Sequence, residues 1–93
     1  MTATDPELGR IDGGFRLKRT ADGQHFIDVI EMIYSWRVVR TPVAAPCGYD
    51  VGYCYWGQTR EGGKVQALAD ALAAAWEWDG NVDRPPTGFN KKI

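Results

Sequence analysis

The stretch Lys64-Val65-Gln66-Ala67-Leu68-Ala69-Asp70-Ala71-Leu72-Ala73-Ala74-Ala75-Trp76-Glu77-Trp78 decides the fold. It holds neither glycine nor proline, and alanine and leucine lose little side-chain freedom in a helix. A helix is therefore predicted over residues 62–79. Thr59 or Gly62 can start it, Glu61 suits its positive end, and Gly80 after Asp79 supplies a stop. At about 100° per residue, Val65, Leu68, Ala69, Leu72, Ala75 and Trp76 fall on one face, the predicted core stripe. Gln66, Asp70, Ala73 and Glu77 form a polar stripe beside it. Ala67, Ala71, Ala74 and Trp78 gather on a third stripe, predicted to be exposed. Small residues there would admit another backbone, with Trp78 as an anchor for a partner. The plainer alternative is that the alanines are simply helix formers and that Trp78 folds under the C-terminal tail.

Working outward, the residues before the helix read as strands. Phe15-Arg16-Leu17-Lys18-Arg19 alternates apolar and basic residues, as a half-buried strand does. Ala21-Asp22-Gly23-Gln24 carries the Asp-Gly pair of tight hairpins, and His25-Phe26-Ile27-Asp28-Val29-Ile30 returns as a second strand. From Glu31 to Arg40 the pattern is ambiguous, because Phe26, Ile30, Ile33 and Arg37 also sit at helical spacing. β-Branched and aromatic residues favour a third strand over residues 34–41, with a bulge or bend near Glu31-Met32. Pro42 and Pro46 make residues 43–48 a loop. A fourth strand over residues 49–56 places Tyr49, Val51, Tyr53 and Tyr55 on one face and Asp50, Gly52, Cys54 and Trp56 on the other. Most of these aromatics are expected to pack in the core or across strands, although aromatics also serve as binding anchors. Residues 1–12 read as a loose arm and residues 81–93 as an extended tail. The expected fold is α+β: a single domain, residues 1–93, whose antiparallel sheet of three or four strands spans residues 13–57, with one long C-terminal helix packed on one face.

Composition narrows the function. Ninety-three residues, 44% of them hydrophobic and 25% charged, suit one globular domain. A formal net charge of −1 supplies no general attraction for phosphate backbones or acidic membranes. No apolar run approaches the roughly 20 residues that span a bilayer, so no membrane insertion is expected. The opening residues Met1-Thr2-Ala3-Thr4-Asp5-Pro6-Glu7 lack the basic start and apolar stretch of a signal peptide. A cytoplasmic protein with Cys47 and Cys54 as reduced thiols is the expectation.

Catalytic and cofactor chemistry finds little footing. Gly57, four intervening residues and Gly62-Gly63-Lys64 resemble a phosphate-binding loop, but the register is off by one. Val65 also stands where the magnesium-binding hydroxyl residue belongs. Cys47, Cys54 and the single His25 give at most three soft ligands, one short of a structural zinc site. A Cys–His nucleophile pair is formally available, yet Cys54 in a strand is more simply a small buried hydrophobe. No enzyme activity, cofactor or metal is expected. Nucleic acid has more support, since Arg16, Lys18 and Arg19 lie on one strand and Arg37 and Arg40 flank another with Trp36. Alternating basic residues are also an ordinary solvent face, and the net charge is negative, so nucleic acid ranks second to a protein partner. Arg37, Arg40 and Tyr53 are the sheet residues expected to join Ala67, Ala71, Ala74 and Trp78 in partner binding.

Three segments also carry a resemblance: Trp36-Arg37-Val38-Val39-Arg40; Gly48-Tyr49-Asp50-Val51-Gly52-Tyr53-Cys54-Tyr55-Trp56-Gly57; and Ala74-Ala75-Trp76-Glu77-Trp78-Asp79-Gly80. Together with the tail Pro86-Thr87-Gly88-Phe89-Asn90-Lys91, which carries an inserted Thr, they resemble small accessory proteins of actinobacteriophages, especially mycobacteriophages. The resemblance covers residues 30–93 and has no catalytic content. It implies a protein of the infected bacterial cytoplasm that binds and inhibits a host protein, is toxic to the host, or excludes superinfection. One such protein resembles this chain in size and inhibits the host's DivIVA-type polar-growth scaffold. A DivIVA-type coiled coil is thus the implied target, and the helix also offers a route to a homodimer. The alternative reading is a single-stranded nucleic-acid-binding accessory module.

Overall fold

The computed structural model describes residues 8–33, 35–54, 63–89 and 91–92. Local chemistry sets the hairpin at Asp22-Gly23. Strands β2 (Gly14–Arg19) and β3 (His25–Glu31) pair antiparallel around the Asp22-Gly23 turn. Gly23 takes a φ of 73°, which costs a glycine nothing. The Asp22 carboxylate accepts from Thr20 Oγ1 at 2.6 Å and from the Gln24 amide at 2.9 Å, closing the turn.

The sheet is a meander in chain order: β1 (Gly9–Ile11), β2, β3, β4 (Trp36–Pro42), β5 (Val51–Cys54) and, across the helix, the two-residue β6 (Lys91–Lys92). Every neighbouring pair is antiparallel. The α+β class is as expected, but the sheet is wider than three or four strands. Part of the supposedly loose arm adds β1, and part of the supposedly extended tail adds β6. The helix α1 (Gly63–Glu77) is correspondingly short, 15 residues. It stops before Gly80, whose φ of 87° suits a chain leaving a helix.

The bulge lies elsewhere than expected. Glu31 stays in β3, opposite Trp36, and the irregularity falls between Arg16 and Lys18 of β2. Arg16 then faces Asp28 while Lys18 faces Ile27, the next residue of β3. Consecutive strand residues point to opposite faces, so the bulge sends two basic side chains to opposite sides of the sheet.

One side of the sheet carries Ile27, Val29, Trp36, Val38, Val51 and Tyr53, all buried against α1. Phe15 stacks on Trp36 with ring centroids 5.9 Å apart. Phe89 of the tail joins this core, 1% exposed. On the other side, Asp28 is buried but satisfied. Arg16 meets it with two bonds of 2.9 and 3.0 Å, and Thr41 Oγ1 donates at 2.8 Å. The Arg16 guanidinium also lies 4.0 Å from the centroid of buried Phe26.

Candidate protein-binding surface

The face α1 turns to the sheet is the alanine-rich one. Ala71, Ala74, Ala75 and Trp78 are buried, and Ala67 packs against the same core. This reverses the predicted orientation: the small-residue stripe is core, so Ala67, Ala71, Ala74 and Trp78 are not a partner surface. The cause is fit. The sheet supplies tall side chains, Trp36, Tyr53 and Phe15, and at crystal-like packing density the alanines let the middle of α1 lie close over them, while Trp78 fills the space at its end. Trp78 meets the Tyr53 ring edge-on at 5.3 Å and donates from Nε1 to the Asn81 carbonyl at 3.1 Å. Fitting Trp78 beneath the chain that follows matches the plainer sequence reading.

Of the predicted core stripe, Ala75 is buried as expected, but Val65, Ala69 and Trp76 are turned outward. Val65 is 82% exposed and Trp76 is 55% exposed. Ala69 is exposed between them, and Leu72 and Leu68 are half-buried at the boundary with the core. Both ends of this helix are tied to the sheet. Lys64 Nζ reaches Glu31 Oε2 at 2.5 Å, and Lys18 Nζ donates to the Trp76 carbonyl at 2.6 Å, where the negative end of the helix dipole favours a cation. Burial lowers the Lys18 pKa from its ordinary value, partly offset by the charge of Asp79. The apolar stripe is thus held on a fixed backbone.

The sheet residues do not gather with it. Tyr53 is 1% exposed and donates its hydroxyl to the Val82 carbonyl at 3.2 Å, so it is core and not a surface contact. Burial raises the pKa of its phenol. Arg37 lies on the face away from α1 and donates to the Tyr49 hydroxyl at 3.1 Å. Arg40, on the helix side, spans Asp50 with two bonds of 3.1 Å and donates to the Gly80 carbonyl at 3.1 Å. Trp36 is buried rather than interleaved with these arginines. The basic residues of the nucleic-acid reading therefore fall on different faces, and Arg16, Lys18, Arg37 and Arg40 are each engaged within the fold.

A polar cleft of about 390 Å³ opens between the β2–β3 turn and the chain after α1, lined by Thr20, Asp22, His25, Arg40, Gly80 and Asn81. Its charges compensate one another. His25 Nε2 stands 3.4 Å from Asp50 Oδ2, which Arg40 also holds. Partial burial works against the Asp50 charge, but the Arg40 hydrogen bonds and charge outweigh it and lower the carboxyl pKa. Cys47 is exposed in the β4–β5 loop and Cys54 closes β5. Residues 55–62, with Tyr55, Trp56 and most of the loop that resembles a phosphate-binding motif, lie outside the described residues. Among the described residues, no helix is long and apolar enough to cross a membrane.

Comparison with known proteins adds no relative. No family model, curated protein or solved structure matches this chain. The surface itself must carry the functional argument. Sequence periodicity separates the stripes of α1 and places Ala75 in the core correctly, but it puts Ala71, Ala74 and Trp78 outside and Val65 and Trp76 inside, the reverse of the structure. A usable signal was the bulk of Trp36 and Tyr53 on the sheet, which calls for a small-residue face opposite.

Proposed function

We propose that this protein acts by binding another protein through the outer face of α1. The observation that carries this reading is the exposure of Val65 and Trp76 on one helical stripe with Ala69 and Leu72. An exposed tryptophan beside aliphatic residues, on a helix fixed at both ends, is the kind of anchor that dominates protein interfaces. Residues 65, 69, 72 and 76 recur at steps of four and three, the spacing with which one helix meets another along a seam. The resemblance to actinobacteriophage accessory proteins supports a bacterial host protein as partner and inhibition of its growth as outcome. A DivIVA-type coiled coil is the candidate, because it presents a helical surface of matching period.

Ala69→Glu tests the reading. Ala69 is exposed, so the fold is retained while a charge enters the middle of the stripe. Expressed in an actinobacterial host, the variant should accumulate like the parent and lose both growth inhibition and capture of the host protein. Inhibition that persists undiminished would place the activity on another surface.

A further inference from the structure

The apolar stripe has one acidic edge, and that edge borders a groove. Asp70 and Glu77 lie two turns apart along α1, and Glu77 is exposed. Between this edge and the C-terminal tail runs a depression of about 280 Å³ lined by Asp70, Ala73, Glu77, Thr87, Gly88 and Phe89. A second, of about 170 Å³, adjoins it at Glu77 and continues along Trp78, Asp79 and Pro86. Ala73 and Phe89 border the first depression, whose charged members are the carboxylates of Asp70 and Glu77. Arg84 lines the second, where it stands 3.4 Å from Asp79 and is held by that charge. The helix contributes a single basic side chain, Lys64, at its far end and already held by Glu31.

We infer that the partner is an amphipathic segment whose apolar residues seat on Val65, Ala69, Leu72 and Trp76 while a Lys or Arg side chain enters the groove between Asp70 and Glu77. The inference rests on the binding role proposed above and specifies the chemistry of the occupant. A long basic side chain suits the groove in both halves. Its methylenes cover Ala73, and its cation reaches the exposed Glu77 carboxylate. Asp70, whose Oδ1 accepts from Gln66 Nε2 at 3.1 Å, adds its negative charge alongside. A segment with acidic edges would meet like charge along the same line. A second copy of this chain is disfavoured by the same geometry. In the antiparallel two-fold pairing that helix dipoles favour, symmetry sets the Asp70–Glu77 edge of one copy against the identical edge of the other.

Two synthetic amphipathic helices with the same leucine seam, one edged with lysine and arginine and the other with glutamate, supply the test. Each is labelled and titrated with the full chain, reading fluorescence anisotropy at two salt concentrations, and sedimentation reports the state of the protein alone. The basic-edged helix should bind at least tenfold more tightly, with a preference that shrinks as salt rises. Glu77→Lys should erase or invert the preference, and Ala69→Glu should abolish binding of both helices; circular dichroism verifies that each variant is folded. Equal or tighter binding of the acidic-edged helix overturns the basic occupant but leaves the binding face standing. Binding unaffected by Ala69→Glu, or no binding of either helix, overturns the face as well. A dimer of the protein alone that Ala69→Glu dissociates would assign the face to a second copy and overturn the inference.

Discussion

Trp76 and Trp78 are two residues apart and have opposite fates. Trp78 is 3% exposed with its ring against Tyr53, whereas Trp76 is more than half exposed. Trp78→Ala is expected to cost about 3–5 kcal/mol, as large-to-small core changes do. Trp76→Ala should stay within about 1 kcal/mol of the parent. Urea unfolding of the two variants measures both, and equal losses would mean that α1 is rotated differently. Asp50 gives a pH-dependent counterpart. Its carboxyl pKa is depressed in the fold, chiefly because Arg40 outweighs the cost of burial. A depressed carboxyl contributes stability that is present above its unfolded pKa of roughly 3.9 and is lost as pH falls through the folded value. Asp50→Asn should therefore be less stable than the parent at pH 7, and the difference should narrow in acid as Asp50 itself protonates. A difference that widens in acid would reverse the sign of this coupling.

At the scale of the element, α1 shows what amphipathic patterning leaves open. Its 100° steps separate two apolar stripes cleanly, one small (Ala67, Ala71, Ala74, Trp78) and one larger (Val65, Leu68, Leu72, Trp76). Both can serve as a buried face by local rules. The bulky sheet selects the small one. A matched pair of substitutions isolates this choice. Ala71→Glu puts a longer side chain and an unpaired charge at a fully buried position and is expected to prevent stable folding. Ala69→Glu, half a turn away on the outer face, should leave the melting temperature nearly unchanged. Thermal melts followed by circular dichroism read both, and a folded Ala71→Glu protein would contradict the packing of α1.

For the molecule as a whole, the C-terminal tail is structural. It carries Phe89 into the core and ends in β6 on the edge of β5. A domain of this size has about 5–10 kcal/mol of stability to lose. Phe89→Ala is expected to remove about 3–5 kcal/mol of it, and truncation after Asp83 should leave a chain that does not unfold cooperatively. A truncated protein with the parental denaturation midpoint would show that the sheet and α1 suffice without the tail. At the other edge, β1 contributes pairing through Gly9–Ile11, so removal of residues 1–12 should exceed the trimming of a loose arm.

Residues near one another in the chain determined much of this architecture. Asp22-Gly23 turns the β2–β3 hairpin because its backbone and carboxylate close it locally. The alanine-rich run makes a helix through its own propensity, and Gly80 suits the left-handed exit after it. The α+β class follows from strands that precede a single helix. Other features belong to contacts between distant residues. The Arg16–Lys18 bulge sends Arg16 to Asp28 and Lys18 to the end of α1, 58 residues later. Phe89 is buried only once the sheet and helix exist to receive it. The binding face was the least legible feature. Periodicity identified Val65, Leu72 and Trp76 as one stripe, but the depth of the sheet beneath α1 decided that this stripe, and not the alanines, meets solvent.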